Sequence, residues 1–422
     1  HRMSAEQSGA GPQMVGLRLS VMMFLEFFIW GAWYVSVGNY MGANGMSDGI
    51  YWAYTVGPIA AIISPFFLGM VADRFFATEK VLGAMHLLGG VALLAAPMVA
   101  AKQGDSFWPF IGVLMLHMLC FMPTLGLTNT LAFHTMTNQE KQFPLIRVFG
   151  TIGWIVANIV ISKGLKADTT ATQFYVAGAA AVALGVFSYT LPHTPPPAAG
   201  HRISARDVLG LDSLALLKDR SFAVFVLCSF LLCIPLAAYY AYAPVFVSAM
   251  GFENPAFNMS YGQMSEIFFM VVMPICFARL GVKWMLVVGM LAWVARYGLF
   301  SAAADEHVKW MVLAGIILHG ICYDFFFVTG QIYVDKKAPA AIRGQAQGFL
   351  VLVTQGLGML IGAQVVGRIV RANTTDLVGV QSLDWARIWL IPCIAAGIIS
   401  FLFFVLFRND RGAEEPTPSS GH

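Results

Sequence analysis

Five ionisable side chains stand inside long apolar stretches: Glu26, Arg147, Glu266, Arg296 and Asp324. Each costs roughly 2.5–3.5 kcal/mol to place in hydrocarbon, so each must face an internal cavity or a partner. Spacing groups other residues around them. Arg147, Thr151 and Trp154 fall at i, i+4 and i+7 and share one helix face. A cation, a hydroxyl and an indole on one face suit a polar aromatic ligand. Gln263 and Glu266 are likewise co-facial, Asp324 follows Tyr323 with His319 about a turn earlier, and Glu26, Trp30 and Trp33 form a further face. A carboxylic acid in a cavity of low dielectric can take up and release a proton near neutral pH. Asp324 and Glu266 are therefore candidate proton carriers, although the same groups could hold Na⁺. The competing reading is that these charges pair only with one another, as glue between helices. His86, His117 and His134 read as packing or loop residues.

Such residues need helices to position them. The chain of 422 residues is 58% hydrophobic and 11% charged, too little charge to cover a soluble surface. Twelve apolar runs are each long enough to cross a bilayer, centred on 17–40, 50–71, 81–100, 108–133, 144–161, 174–191, 222–247, 259–277, 284–302, 310–334, 344–366 and 388–407. They are too long and continuous for barrel strands. A hydrophilic break opens with His193-Thr194-Pro195-Pro196-Pro197, which cannot continue a helix. It divides an N-terminal bundle (1–192) from a C-terminal bundle (220–422), with a linker at 193–219. The expectation is an all-α membrane protein of twelve transmembrane helices in two six-helix bundles, with a site between them near mid-membrane.

Lys and Arg concentrate on one side, among them Arg74, Lys80, Arg206, Lys218, Lys336, Lys337 and Arg343. That side is expected to be cytoplasmic, together with both termini and the linker. The net charge of +3 is too small to suggest nucleic acid. The 6 cysteines lie in apolar runs without metal-ligand spacing or a pairing pattern. No His-rich metal motif, Gly-x-Ser-x-Gly or phosphate-binding loop supports an embedded enzyme, and no filter-like polar repeat supports a passive channel. Neither metal nor cofactor is expected.

After the second run comes Gly69-Met70-Val71-Ala72-Asp73-Arg74, which resembles the Gly-x-x-x-Asp-Arg loop motif of the major facilitator superfamily. Gly permits close helix approach, and Asp73 can pair with Arg74 or cap a neighbouring helix. Gly69, Asp73 and Arg74 are thus expected to form a conformational latch rather than a substrate site.

Longer stretches sample both halves: 27–40 (FFIWGAWYVSVGNY), 121–130 (FMPTLGLTNT), 143–153 (FPLIRVFGTIG), 209–217 (LGLDSLALL), Tyr323 to Phe326, and Ala341-Ile342-Arg343 with Ala346-Gln347-Gly348. On these the chain resembles the bacterial nucleoside:proton symporters of the major facilitator superfamily. The resemblance implies a central nucleoside cavity, with Arg147, Thr151 and Trp154 as the fifth-helix binding face and Gln263 and Glu266 as the eighth-helix pair. It also implies Tyr323 and Asp324 as the tenth-helix aromatic–acid pair, with Asp324 in proton coupling. Tyr240, His319 and Phe327 complete the expected substrate-binding set. Five positions depart from the pattern the family looks to have: Trp154 for Phe, His319 for Tyr, Ala237 and Tyr240 for two amides, and Glu26 for Gln. The last adds a further titratable group, so Glu26 joins Asp324 and Glu266 as a proton-coupling candidate. The expected function is nucleoside:H⁺ symport by alternating access in the cell inner membrane, by a monomer surrounded by lipid. The alternative is a carrier of another small polar metabolite, such as a modified nucleoside or a sugar.

Overall fold

The computed structural model describes residues 12–100 and 105–409. The chain ends, including their expected cytoplasmic placement, lie outside the described residues. Among those described, ten helices are long and apolar enough to cross a membrane; one of them holds two spans, and the shorter Thr172–Ser188 completes a set of twelve. In chain order they are α1 (Gln13–Ala43), α2 (Ser47–Phe75), α3 (Thr78–Val99), α4 (Trp108–Thr135), α5 (Gln142–Gly164), α6 (Thr172–Ser188) and α7 (Arg220–Ala249). Then follow α8 (255–280) and α9 (282–304), α10 (Lys309–Lys337), α11 (Ala340–Ala372) and α12 (Trp385–Leu406). The expected separation of α8 from α9 by a loop is replaced by one continuous run, Pro255–Ala304, bent at Gly281. There φ is 69°, a left-handed backbone conformation that glycine adopts without steric cost. A short antiparallel hairpin, β1 (Thr374–Leu377) and β2 (Val380–Leu383), joins α11 to α12.

Each bundle closes on itself. In the first, α1 packs on α5 and α6, and α3 on α4 and α6. The α1–α5 contact is close because Gly153 stands there: a Cβ would lie 2.2 Å from the carbonyl oxygen of Phe24. In the second bundle, α7 packs on α11 and α12. Cys393 of α12 donates its thiol to the Val294 carbonyl of α9 at 3.4 Å. Outward-facing residues such as Leu88, Leu116, Val186, Leu227, Val271, Ile394 and Phe401 are exposed and apolar, the surface a helical protein presents to lipid.

The linker does not hang free. Glu79 at the start of α3 accepts hydrogen bonds from His193 Nδ1 at 2.7 Å and from the Thr194 backbone N–H at 2.9 Å. The Ala198 N–H donates to the Asp73 carbonyl at 2.8 Å. Ser204 and Asp207 form a reciprocal capping box that starts a short helical turn. Gly69 lies against Val208 and Ile203 of the linker. The anticipated pairing of Asp73 with Arg74 does not occur among the described residues; Arg74 lies instead over the Phe75 ring at 4.9 Å.

The two bundles meet along α1–α7, α2–α11 and α5–α8. On the face opposite the linker this seam is bridged repeatedly. Asn39 Nδ2 donates to the Pro244 carbonyl at 3.1 Å, Gln364 Nε2 to Thr55 Oγ1 at 3.0 Å, and Arg371 Nη2 to the Tyr51 hydroxyl at 3.2 Å. Lys163 lies over the Phe257 ring at 4.7 Å. The buried Asp168, in the α5–α6 turn, accepts from Ser162 Oγ at 2.7 Å and from the Ala256 N–H at 3.0 Å. A first-bundle carboxylate thus caps the N-terminus of a second-bundle helix, where backbone donors and the helix dipole favour an anion. Burial pushes its carboxyl above the usual range, while these hydrogen bonds pull it back.

Replacing this cap should loosen one face only. In Asp168→Ala, a cysteine introduced at Thr151 should be labelled by an impermeant maleimide from the Asp168 face several times faster than in an otherwise identical background. Equal labelling rates would show that Asp168 does not hold the seam.

Candidate functional site

At mid-membrane the seam forms a half-open cavity of about 160 Å³ walled by both bundles. From the first come Phe27, Trp30 and Tyr34 of α1 and Arg147, Thr151 and Trp154 of α5. From the second come Tyr240 of α7, Gln263 and Glu266 of α8, His319 and Tyr323 of α10, and Gln355 and Met359 of α11. Helical phase explains the arrangement: each helix contributes residues three, four or seven apart, which recur on one face. The helix register around Tyr323 is special. Residues Ile321–Val328 form a widened π-type turn, a feature often found at functional sites. A larger hollow of about 350 Å³ lies nearer the linker, among α1, α4 and α5. Its wall comes from the first bundle and the start of the linker and, apart from His134 and His193, holds no ionisable group, so it lacks the seam cavity's chemistry.

The cavity is a wall of rings with a few charges set into it. Trp30 meets Trp154 edge-on, with centroids 5.6 Å apart, and Tyr34 meets Trp154 at 5.9 Å. Across the seam, Tyr34 faces Tyr240 at 6.1 Å. The Arg147 guanidinium lies over the Phe27 ring at 4.2 Å, a cation–π contact worth about 0.5–2 kcal/mol depending on desolvation. Glu266 Oε2 is 3.6 Å from His319 Nε2, a charge-pairing distance longer than a normal hydrogen bond. The His319 ring stacks on Tyr239 at 5.4 Å. Trp30 Nε1, Trp154 Nε1 and His319 Nδ1 are buried and have no protein hydrogen-bond partner. Their residues line the cavity, but these three atoms themselves are not exposed to its open space.

Other expected site residues lie elsewhere. Asp324 is fully buried behind the wall, and neither carboxylate oxygen has a hydrogen-bond partner. It follows Tyr323 directly, and a step of about 100° per helical residue turns it into the bundle when Tyr323 faces the cavity. Phe327 does not line the cavity either: it packs against Tyr323 at 5.3 Å and Trp293 of α9 at 5.7 Å, buttressing the wall. Glu26 and Trp33 do not share the cavity with Trp30. Trp33 is fully buried, beside His117 at 5.5 Å. Glu26 lies inside the first bundle, 2.6 Å from His86 Nε2 of α3, and accepts a short hydrogen bond from Thr124 of α4. His86, expected as a packing residue, is therefore the partner of an intramembrane acid. Arg296 is glue as well: Nε donates to the Gly315 carbonyl at 3.0 Å, and its guanidinium lies over Tyr239 at 3.7 Å.

Five lining residues escaped the sequence reading: Phe27, Tyr34, Gln355 and Met359, and Trp30 as a ligand-facing group. A signal existed for three of them, since Phe27, Trp30 and Tyr34 recur at helical spacing on α1. Gln355 was visible only as one of four glutamines in the run 344–366.

The chain matches the family model described as nucleoside H⁺ symporter over residues 14–412. It is 40% identical over 404 residues to the putative nucleoside transporter YegT of Escherichia coli (strain K12), covering 93% of each chain. It is 31% identical over 409 residues to the nucleoside permease NupG of the same organism, covering 93% of this chain and 96% of that one. A crystal structure of a mutant of the nucleoside transporter NupG superposes with a TM-score of 0.85 at 29% identity, covering 93% of this chain and 100% of that one.

Removing one partner of a buried hydrogen-bonded pair leaves the other unsatisfied, at a cost of about 1–3 kcal/mol. His86→Leu should therefore lower the unfolding temperature of the detergent-solubilised protein markedly, whereas His134→Leu, at an exposed position, should barely change it. Equal shifts in scanning fluorimetry would mean that the Glu26–His86 contact contributes nothing.

Proposed function

The chain belongs to the nucleoside H⁺ symporter family, and on that footing we propose how its residues couple a proton to a nucleoside. It is a proton-coupled nucleoside transporter of the major facilitator fold, not an enzyme, and it works by alternating access. The observation that carries the proposed mechanism is the seam cavity with an orphaned acid behind it. Substrate would lie between the bundles, touching both, so that its binding energy can favour one relative orientation of the bundles over another.

Trp154 and Tyr323 flank the base, with Trp30 beside Trp154. Arg147, Thr151, Gln263 and Glu266 hydrogen-bond the nucleoside. Asp324 carries the proton. A fully buried carboxylate without a donor is tolerated in its neutral form and costly in its charged form. Release of the proton is then tied to rearrangement of the α10 turn. Glu266, in the cavity and close to His319, senses both the substrate and the charge state behind Tyr323.

Because the seam is bridged on the face opposite the linker, we read this conformation as facing the cytoplasm, with the linker and both termini on the cytoplasmic side of the inner membrane. The bundles 1–192 and 220–422 rock about the site as units, joined by the linker 193–219, and Gly69, Asp73 and Arg74 act at the linker face as a latch. A monomer suffices, since both walls of the cavity come from one chain and its outer surface suits lipid.

Asp324→Asn tests the coupling. In proteoliposomes, the variant should lose proton-driven nucleoside accumulation, while exchange of labelled for unlabelled nucleoside continues. Accumulation at the wild-type level under an inward proton gradient would remove Asp324 from the coupling step.

A further inference from the structure

The cavity is polarised along the membrane normal. Helix direction orders the lining: Phe27 and Tyr34 of α1 are separated by about 10 Å at 1.5 Å per residue, with Tyr34 nearer the bridged face. The same logic places Arg147 nearer the linker face than Trp154, and Glu266 nearer it than Gln263. The charged pair of groups, Arg147 and Glu266, thus occupies one end. At the other, Trp30, Tyr34, Trp154 and Tyr240 form a cup of four rings with neighbouring centroids 5.5 to 6.1 Å apart. Three of these rings belong to the first bundle. Tyr240 alone comes from the second, entering over the cup and meeting Tyr34 across the seam.

Neither tyrosine has an easy retreat. Tyr34 is boxed by Tyr54 at 5.0 Å, and its backbone carbonyl accepts the Tyr54 hydroxyl at 2.6 Å. Tyr240 rests edge-on against Tyr239 at 5.7 Å and against His319 at 6.4 Å. Tyr239 is itself held beneath the Arg296 guanidinium at 3.7 Å. The buried Arg296, otherwise without a role at the site, thereby stiffens the support of Tyr240. The whole cavity measures about 160 Å³, against roughly 300–1,000 Å³ for pockets that hold drug-sized ligands. Where these four rings close the cavity, the second ring of a purine would have to take the space that the Tyr240 side chain fills.

We propose that Tyr240 is a specificity-determining residue that limits the base end of the cavity to a single ring, making pyrimidine nucleosides the preferred substrates. This rests on the nucleoside-transport reading above and adds a substrate class to it. The ribose, common to all nucleosides, lies toward Arg147 and Glu266 and does not discriminate. The base, flanked by Trp154 and Tyr323, directs its far edge into the cup and is sorted there by size. Rejection here is steric, so it can be relieved by removing side-chain volume.

The test compares uridine and adenosine in proteoliposomes under an inward proton gradient, with wild type, Tyr240→Ala and Tyr240→Phe. Wild type should favour uridine over adenosine by about tenfold or more in kcat/KM, the scale on which pocket shape discriminates. Y240A should shrink that ratio severalfold by improving adenosine uptake. Y240F keeps the ring and should keep the ratio. Competition binding of the two nucleosides to detergent-solubilised wild type should give the same ranking, and it decides the matter if Y240A does not fold. Equal handling of both nucleosides by wild type, or an unchanged ratio in Y240A, overturns the role of Tyr240 and leaves nucleoside transport standing. If neither nucleoside is carried or bound, the transport reading fails first.

Discussion

A charge in the hydrocarbon layer must be compensated where it stands, and the five intramembrane charges show how differently one chain meets that demand. Glu26 is met inside a bundle by His86 and Thr124. Arg296 is met by a backbone carbonyl and the face of Tyr239. Arg147 and Glu266 sit in the cavity between the bundles, leaning on Phe27 and His319 with capacity left for a ligand. Asp324 has no hydrogen-bond partner among the described residues. The first two are structural because the contacts they make lie within one bundle. The other three remain available for function because their needs are not met.

The same economy governs the seam. Two bundles that must separate cannot be fused by a large dry core, yet they must close tightly enough to exclude water on one side. Here the closure is a set of single hydrogen bonds and ring contacts, with Asp168 capping a helix of the opposite bundle. Each is worth about a kcal/mol or two, an amount that substrate and proton binding can offset. On the linker face, contact between the halves runs through the linker, with Gly210 packed against the Gln345 backbone. The asymmetry between the faces is what an alternating-access cycle requires of any single state.

Aromatic residues do two jobs in this design. Trp30, Tyr34 and Trp154 wall one end of the seam cavity with an apolar cup, since rings carry large contact area on few rotatable bonds. Behind them, Tyr239, Phe327 and Trp293 hold the cup's second-bundle side and the α10 turn in place. In the proposed mechanism Asp324 carries the proton one residue from the cavity-lining Tyr323, and what moves Tyr323 also moves Asp324.

Hydrophobic run length determined the twelve spans, and the Pro-rich break determined their division, because lipid admits few solutions for a continuous apolar chain. The rarity of buried charge picked out Arg147 and Glu266, and periodicity along α5 and α8 placed Thr151, Trp154 and Gln263 beside them. Periodicity describes a helix alone, however. It gives the angle between two side chains and says nothing about which neighbour either one meets. Only the packed structure decided that Glu26 turns into its bundle to reach His86 60 residues away, that Asp324 lies behind the wall rather than in it, and that Tyr34 and Tyr240, 206 positions apart, close the cup together. Those are contacts between helices, set by the close approach of α1 and α5 at Gly153 and by the widened turn of α10, and no local pattern along the chain encodes them.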